Sequence, residues 1–415
     1  MANSSDHDRN IARTGARAPT KRYQARRNAI VASAVAELNR AGVRGMTLGK
    51  VAARLELVPT GVIYYFRNKE ELAAEAFLKA IGRFAGLIAA AETEPGFELR
   101  LGTFVRGYFE FRAAVARGEA EDIAVFNDVR ALNAPLVNQA YVEMFRRARG
   151  LLGSADSLPR LHRNARAHLL LSQMFWIPAW LHASEVEDYD RAAERATSLL
   201  VHGLAAPGAA WPPSRRLSLA GQDDPKAEAS SELFLRAATR LINDEGYHGA
   251  SVERISAQLN VTKGAFYHHN ETKDELVVAC FQRTLDLMWR ALREAERDAG
   301  SAFEVLALAA TALVEHQMGG GAPLLRTSAL TTVPPSIRTE LMAKFDRLSH
   351  WIASVVSDGI ADGSVRPVDV NIAAQTITGA INAAAELHFW APGLTAQTVA
   401  EHYVRPLLYG LRSPA

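Results

Sequence analysis

An internal repeat constrains the fold of this chain more than any other feature. Residues 27–72 align with residues 231–276 without a gap. The matching positions are mostly apolar or turn residues, as expected for two copies of one packed unit. Identical pairs include Asn39/Asn243, Gly42/Gly246, Gly45/Gly249, Ala53/Ala257, Lys69/Lys273 and Leu72/Leu276.

The repeat and its surroundings predict an all-α protein of two similar halves. Long stretches of each half show helical periodicity, with few alternating β-branched runs. Residues rich in Pro, Gly and Ser separate the halves and predict a linker. The expected segments are a basic disordered tail at 1–21, a helix-turn-helix module at 22–68, a helical core at 69–204, the linker at 205–228, a second module at 229–272 and a second core at 273–412.

Composition excludes several classes of protein. The chain has 415 residues, is 48% hydrophobic and carries a net charge of +2. Its most apolar stretch, Leu169 to Leu181, is too short for a membrane helix and contains Pro178, so we expect a buried helix and no membrane. A lone cysteine, Cys280, and the lack of a signal peptide at the start favour the cytoplasm.

Basic residues cluster near the start of the chain. Seven of them lie between Arg9 and Arg27, with no acidic residue after Asp8. Two interpretations stay open: a solvated disordered tail, or an arm that reaches phosphate or the minor groove of DNA.

Each copy of the repeat predicts a helix-turn-helix. The first helix of the second copy ends at Gly246, and Ser251, like Thr47 in the first copy, is placed to cap the next helix. Thr262 offers a cap for a third, short helix. In this arrangement the last helix enters the major groove of DNA.

The fourth helix of each unit begins with a lysine. Thr272 to Glu275 forms a capping-box pattern, and Asn68 opens the equivalent segment of the first copy. Lys69 and Lys273 oppose the helix dipole there, which suggests a contact with a DNA phosphate. A solvated surface lysine is the alternative.

Two segments resemble the recognition-helix signature of TetR-family regulators: LVPTGVIYYFRNKEEL at 57–72 and VTKGAFYHHNETKDEL at 261–276. The resemblance implies two tandem units, each with a DNA-binding module followed by a helical ligand-binding and dimerisation core. It covers both modules well and the cores weakly. The function it implies is a ligand-responsive transcriptional regulator, with repression as the expected mode, that binds a palindromic or pseudopalindromic operator.

The resemblance also implies which residues contact duplex DNA. Core packing is the alternative for the recognition-helix tyrosines, and plain surface polarity for His268. The implied contacts are Thr47, Val58, Pro59, Thr60, Gly61, Tyr64, Tyr65, Lys69, Ser251, Thr262, Lys263, Gly264, Tyr267, His268 and Lys273.

Three positions depart from the family pattern. Ile63 stands where tyrosine is usual, Val58 where a Ser or Thr cap is usual, and Asn270 where phenylalanine is usual. The halves therefore need not read the same bases, and an imperfect operator is expected. The departures also motivate an alternative function, a sensor or co-regulator in which one or both modules no longer bind DNA.

Family members pair through their last two helices, and each half offers two candidates. These are residues 160–183 and 187–203 in the first half, and residues 368–390 and 396–411 in the second. We expect the halves to pair with each other as an intramolecular pseudo-dimer. Further self-association of the chain stays open.

Aromatic, sulfur and imidazole side chains could line an effector pocket between the core helices. Ordinary core packing is the alternative for each of them. The candidates are Phe104, Tyr108, Met174, Trp176, Trp289, His316, Trp351 and His388.

No pattern in the sequence predicts catalysis. Gly45 to Lys50 superficially resembles a phosphate loop, but its spacing is one residue short and Val51 replaces the Ser or Thr. The histidines lack metal-ligand spacing. We therefore expect no enzyme activity, no metal and no cofactor.

Overall fold

The computed structural model describes residues 20–153, 158–212, 216–217, 219, 227–261, 272–319, 323–333 and 335–412. Among these residues the structure is helical, with two isolated β-bridges and no longer strand. The all-α prediction is confirmed. No helix in this part of the chain is long and apolar enough to cross a membrane.

The first half contains eight α-helices within its described residues. Residues Phe126–Leu132 add a 3-10 helix between α5 and α6. The helices are α1 (Lys21–Gly45), α2 (Leu48–Ala53), α3 (Pro59–Ile63), α4 (Lys69–Glu92), α5 (Phe97–Ala116), α6 (Pro135–Gly150), α7 (Arg160–Leu181) and α8 (Tyr189–His202).

The second half repeats this order in its described residues, with a 3-10 helix at Thr327–Thr332. A π-helical turn at Ala400–Val404 leads into the last helix. The helices are α9 (Ala227–Gly249), α10 (Val252–Gln258), α11 (Lys273–Asp298), α12 (Ala302–Met318), α13 (Pro335–Asp362), α14 (Val370–Ala383), α15 (Leu387–Trp390) and α16 (Arg405–Tyr409).

The cores of the two halves are filled differently. In the first half the ring of Phe84 packs against Tyr108, Phe126 and Phe175, with centroids 5.2 to 5.7 Å away. In the second half, α12 presents mainly buried alanine, leucine and valine side chains to its neighbours. Both arrangements bury the apolar stripes of amphipathic helices, which is the main source of stability in such a fold.

The two halves meet along a surface that we call the seam. It is formed by α7 and α8 of the first half and by α14 and residues 400–409 of the second, where α7 packs against α14 and against the π-helical turn. The helices at the seam match those expected from the sequence to within a few residues.

Two glycines lie at one end of the seam. Gly203 follows α8 and Gly410 follows α16, and both have positive φ, 69° and 89°. A Cβ atom on Gly203 would lie 2.3 Å from the Leu408 carbonyl oxygen, and one on Gly410 would lie 2.2 Å from the Val201 carbonyl oxygen. Only glycine fits such a close approach of two backbones with positive φ. We call this place the glycine crossing.

Backbone hydrogen bonds join the halves at the glycine crossing. The Leu204 N–H donates to the Leu408 carbonyl over 2.6 Å, and the Leu411 N–H donates to the Leu200 carbonyl over 2.8 Å. The Ala205 N–H also donates to the Leu408 carbonyl over 3.1 Å, and the Arg366 N–H donates to the Leu204 carbonyl over 2.9 Å, so each half both donates and accepts backbone hydrogen bonds.

Polar side chains tie the seam together away from the glycines. Gln173 donates to the Thr376 carbonyl over 3.0 Å, and the Trp176 indole N–H donates to the Gln375 amide oxygen over 3.2 Å. Arg366 donates to the Gly203 carbonyl over 2.8 Å. These bonds satisfy polar groups that pairing removes from water.

The described part of the expected linker lies against the second half. The Ala206 N–H donates to the Ser364 carbonyl over 3.1 Å, and the Tyr409 hydroxyl donates to the Ala209 carbonyl over 2.8 Å. Helix α9 begins at Ala227, two residues before the expected start of the second module.

Candidate functional site

The helix-turn-helix of the first half is built by local hydrogen bonds. The Thr47 hydroxyl accepts the Lys50 N–H over 3.2 Å and caps α2, as the sequence predicts. The turn between α2 and α3 contains Glu56 with φ of 54°, a left-handed conformation that is unusual for glutamate. Pro59 then starts α3, where its fixed φ suits the first helical position.

Helix α3 is buried on one side and exposed on the other. Val62 is fully buried, whereas Val58 is 66% exposed, Ile63 48% and Tyr64 74%. Pro59 and Thr60 are also exposed. Large apolar side chains rarely stand so far into solvent without a partner surface, so this face is suited to contact another molecule.

Three tyrosines stabilise the end of α3. The ring of Tyr23 in α1 lies 4.8 Å from that of Tyr65 and 6.2 Å from that of Tyr64. Tyr65 is half-buried, so it supports the helix from below, while Tyr64 projects into solvent. Gly61 is partly buried, and a Cβ atom there would make only an ordinary contact with Leu57.

The second module repeats this geometry as far as the structure describes it. The Ser251 hydroxyl accepts the Arg254 N–H over 3.3 Å and caps α10. Asn260 occupies the position that Glu56 has in the first copy and shares its left-handed conformation, with φ of 55°. The recognition residues expected in this copy, Thr262, Lys263, Gly264, Tyr267 and His268, and the departure at Asn270, lie outside the described residues.

The two lysines at the start of the fourth helices contact their own modules. The Lys69 ammonium donates to the Val43 carbonyl over 3.3 Å. The Lys273 ammonium donates to the Tyr247 carbonyl and lies 4.0 Å from the centre of the Tyr247 ring. Desolvation lowers the pKa of Lys273. Both lysines therefore hold the end of the first helix, and a contact with phosphate would use their remaining N–H groups.

Equivalent asparagines attach each module to its core, and we call them the asparagine clamps. Asn39 donates to the Ile123 carbonyl over 3.0 Å and accepts the Val125 N–H over 2.9 Å. Asn243 donates to the Leu324 carbonyl over 2.9 Å and accepts the Arg326 N–H over 3.0 Å. Each clamp lies at or beside the start of a 3-10 helix.

The two modules also touch one another. The Arg44 guanidinium, at the end of α1, lies 2.9 Å from the Glu245 carboxylate in α9, and Arg254 pairs with the same carboxylate. A Cβ atom on Gly249 would lie 2.7 Å from the Arg44 side chain. These contacts, together with the seam, favour the relative position that the modules have here.

A cavity of about 90 Å³ lies at the seam, between the halves and close to both clamps. We call it the seam cavity. Its wall combines aromatic rings with a few polar groups, the combination typical of small-molecule sites. The lining residues are Phe126, Asn127, Tyr141, Phe145, His168, Leu171, Ser172, Phe175 and Trp176 from the first half, and Arg326, Gly379, Asn382, Ala383, Glu386 and Trp390 from the second.

Two cationic or titratable groups of the seam cavity have unmatched polar atoms. His168 is 5% exposed, and its Nδ1 atom has no hydrogen-bond partner; the same is true of the Arg326 Nε atom. The other side of the Arg326 guanidinium pairs with Glu386 over 2.7 Å. Buried polar groups normally have partners, so these two atoms mark a place where a ligand could supply them.

Electrostatics around His168 favour negative charge. Desolvation, together with the nearby charges of Arg130 and Arg326, lowers the pKa of His168 to about 3. The imidazole is therefore neutral at physiological pH. Burial together with the nearby Glu386 carboxylate raises the pKa of the Tyr141 hydroxyl, which also stays neutral.

The effector candidates from the sequence occupy different places. Trp176 lines the seam cavity, whereas Phe104, Tyr108 and Met174 are buried in the first core. The rings of Trp289 and Trp351 pack on each other 5.9 Å apart, and His388 is exposed and lies on Phe389. His316 lies in α12. A void of about 10 Å³ lies in the second core, between Met288, Leu313 and Ile381 among others.

The sequence alone does not reveal most of the seam cavity. No sequence pattern singles out His168, Arg326 or Glu386, because their proximity depends on how the halves pair. No group of three or more metal-ligating side chains occurs in the described residues.

Comparison with known families identifies both modules. The family described as "Bacterial regulatory proteins, tetR family" matches residues 30–76 and 234–280. A second description, "Tetracyclin repressor-like, C-terminal domain", matches residues 299–411. The matches therefore recur at the two copies of the repeat and extend through the second core.

Individual relatives agree with this assignment. The chain is 36% identical over 58 residues to the Transposon Tn10 TetC protein of Escherichia coli, covering 14% of this chain and 29% of TetC. It is 27% identical over 199 residues to the HTH-type transcriptional repressor KstR2 of Mycolicibacterium smegmatis, covering 46% of this chain and 94% of KstR2.

Two solved structures each cover less than half of this chain. The ketosteroid transcriptional regulator KstR2 of Mycobacterium tuberculosis is 21% identical with a TM-score of 0.36, covering 46% of this chain and 97% of that one. A structure of AibR in complex with isovaleryl coenzyme A and operator DNA is 23% identical with a TM-score of 0.36, covering 43% of this chain and 98% of that one. The repeated helix-turn-helix and the family matches lead to one conclusion: the chain belongs to the tetR family of bacterial regulatory proteins and carries two tetR-like units in tandem.

Proposed function

We propose that this chain regulates transcription as a single-chain pseudo-dimer, binding one operator through its two helix-turn-helix modules. The observation that carries the proposal is the pairing of two tetR-like units within one polypeptide across the seam. Paired modules read successive major grooves about one helical turn apart. A covalently linked pair also keeps its geometry on dilution, because the second half is always present at high effective concentration.

In the first module, the contacts with DNA would come from the exposed face of α3 and from the start of α2. Val58, Pro59 and Thr60 lie where α3 begins, and Tyr64 projects from its end. Tyr64 can place a hydroxyl on phosphate and its ring on the sugar or on a thymine methyl group. Thr47, which caps α2, and Lys69 would add phosphate contacts.

The second module would use Ser251 and Lys273 in the same way. Its base contacts would come from Thr262, Lys263, Gly264, Tyr267 and His268. Because Val58 and Ile63 make the first surface more apolar than this expected set, the two half-sites of the operator should differ in sequence.

Regulation would act on the distance between the modules. An effector shifts an equilibrium only by binding two arrangements with different affinity. The seam cavity is placed to do this, since it touches residues next to both asparagine clamps. We further propose a cytoplasmic protein that represses transcription and has no enzyme activity.

A mobility-shift titration on the upstream region of the gene tests the DNA-binding proposal. The unaltered chain should bind in the presence of excess nonspecific DNA. Tyr64→Ala and Tyr267→Ala should each weaken binding roughly tenfold or more, by loss of about 1.5–3 kcal/mol from hydrogen bonds to charged phosphate. Tyr189→Phe, at the buried start of α8, is a control with no expected effect on DNA affinity.

The two tyrosine variants also separate the proposal from its alternative. If only Tyr267→Ala weakens binding, the first module serves as a partner that does not read DNA. If the chain shows only weak binding that added salt abolishes, and selection from a random duplex library yields no preferred site, the regulator proposal fails. The sensor or co-regulator function then takes its place.

A further inference from the structure

The seam cavity is a built site with one copy per chain. Its polar groups come from both halves: His168 on α7, and Arg326 beside the second asparagine clamp. A cavity of about 90 Å³ is smaller than the roughly 150 Å³ that accommodates benzene in an engineered protein core. Its occupant is therefore small unless the rings at its wall move.

The charges at the seam cavity are unbalanced. Arg326 and Glu386 line the cavity and pair with each other, and exposed Arg130, outside the lining, adds a further positive charge nearby. The Arg130 guanidinium lies 5.0 Å from the centre of the Trp390 ring, which lines the cavity. A single negative charge on a ligand would complete the balance.

The free side of the Arg326 guanidinium has the geometry that carboxylates prefer. Arg326 uses one terminal nitrogen for Glu386, which leaves its buried Nε atom without a partner. Carboxylates bind guanidinium groups through two parallel hydrogen bonds, and one of these commonly involves Nε. Phe175, Trp176 and Trp390 supply the apolar remainder of the wall.

We propose that the seam cavity binds a small organic monocarboxylate, with its carboxylate on Arg326 and its apolar part among the aromatic rings. Such a ligand needs a donor for its carboxylate, and the buried Arg326 Nε–H is available as that donor. A neutral amide of the same shape would leave the excess positive charge in place.

Binding there would reach both DNA-binding modules. Arg326 donates its backbone N–H to Asn243, and Phe126, in the opposite wall, follows the residue that donates to Asn39. Asn382 also lines the cavity and accepts the Thr327 N–H over 3.1 Å. A carboxylate that moves Arg326 or Phe126 therefore changes the attachment of a module. This regulatory part rests on the proposed function.

Intrinsic tryptophan fluorescence and calorimetry on the full chain test the proposal. Butyrate should quench fluorescence through Trp176 and Trp390 and bind with one site per chain. Butyramide, its neutral counterpart, should bind at least tenfold more weakly, because a hydrogen bond to a charged group is lost. Equal binding of butyrate and butyramide, or no binding of butyrate, would overturn the proposal.

A charge-neutral double variant locates the site. Arg326→Gln with Glu386→Gln removes the guanidinium without leaving an unpaired carboxylate, and should abolish the preference for acid over amide. Arg117→Gln with Glu119→Gln removes an exposed pair of the same kind and should retain it. If the first double variant still prefers the acid, the carboxylate binds elsewhere and the assignment is wrong.

A mobility shift without carboxylate separates this inference from the proposed function. If the chain binds DNA but no carboxylate, only the ligand assignment is wrong. If the chain binds the carboxylate but no specific DNA, the site stands and its regulatory role is wrong.

Discussion

The glycine crossing and the seam cavity lie on the same seam but treat the two halves differently. At the crossing each half contributes a glycine with positive φ and donates backbone hydrogen bonds to the other half. At the cavity the first half contributes mostly aromatic rings, and the second contributes Arg326, Glu386 and small residues such as Gly379. Pairing therefore depends on features that both halves retain, while the cavity depends on features in which they have diverged.

The largest expected loss of stability comes from substitutions that disrupt the glycine crossing. Gly203→Ala and Gly410→Ala should each destabilise the chain by about 3 kcal/mol, because the new methyl group meets backbone atoms at close range and φ is positive. Thermal unfolding measures this. If the crossing is symmetric, the two variants should lower the melting temperature by similar amounts.

Gly208→Ala is the matched control for backbone strain. Gly208 also has positive φ, at 87°, but nothing lies within 4 Å of a Cβ atom there. Gly208→Ala should lower the free energy of unfolding by about 1 kcal/mol. A decrease as large as that of Gly203→Ala would mean that the close approach of the two backbones does not contribute to the effect.

The next effect tests whether the asparagine clamps are equivalent. Asn39→Ala and Asn243→Ala each leave a backbone N–H and a carbonyl without their partner, at an expected cost of about 2 kcal/mol. Unfolding experiments should show similar losses of stability for the two variants, and exposed Asn28→Ala should show little change. If only one of the two variants loses stability, the module of the other half is attached by other contacts.

Much of the fold follows from the sequence, since local patterns determine it. Thr47, Ser251 and the Thr272 capping box begin their helices as expected, because each cap acts within three residues of its own position. The repeat predicted two similar units, and the pairing helices were located within a few residues. The identity of Asn39 with Asn243 was visible, but its meaning was not, because the loop each one holds lies more than 80 residues away.

A smaller expected effect is the pH dependence of stability that His168 gives to the first half. The fold lowers the pKa of His168 from 6.5 to about 3, so the unfolded chain binds one more proton than the folded chain between these values. Acidification below about pH 6.5 therefore destabilises the fold through this residue. Between pH 6.5 and 5.5 the contribution is about 1 kcal/mol.

His168→Gln should remove that contribution. Unfolding measured from pH 7 to pH 5 should show a shallower loss of stability for this variant than for the unaltered chain. Exposed His202→Gln should follow the unaltered chain. Parallel pH profiles for all three would show that folding does not lower the pKa of His168.

The smallest effect concerns the turn of each helix-turn-helix. Glu56 and Asn260 share a left-handed conformation, which asparagine adopts more readily than glutamate. Glu56→Asn should therefore stabilise the chain by about 0.5 kcal/mol, and Asn260→Glu should destabilise it by a similar amount. Changes of opposite sign in the melting temperatures of the two variants support the equivalence of the turns, whereas changes of the same sign contradict it.

The candidate site was less predictable than the fold. The exposed face of α3 follows from the motif, yet Lys69 and Lys273 also bond carbonyls that the motif does not reveal. Of the eight effector candidates, Trp176 alone lines the seam cavity. An aromatic residue at helical spacing has the same appearance in sequence whether it fills a core or borders a void. Its partners across the seam depend on tertiary packing.

Joining two unlike halves through one linker alters how the seam can evolve. In a homodimer each substitution appears on both sides of the two-fold axis. A bulky residue that packs against a small one must therefore fit in two symmetric places at once. Here the indole of Trp176 lies 2.7 Å from the place where Gly379 would carry a Cβ atom, and either codon can change without duplicating the change across the dyad. The two sides of the seam can therefore change independently in sequence, although they stay in contact within one chain.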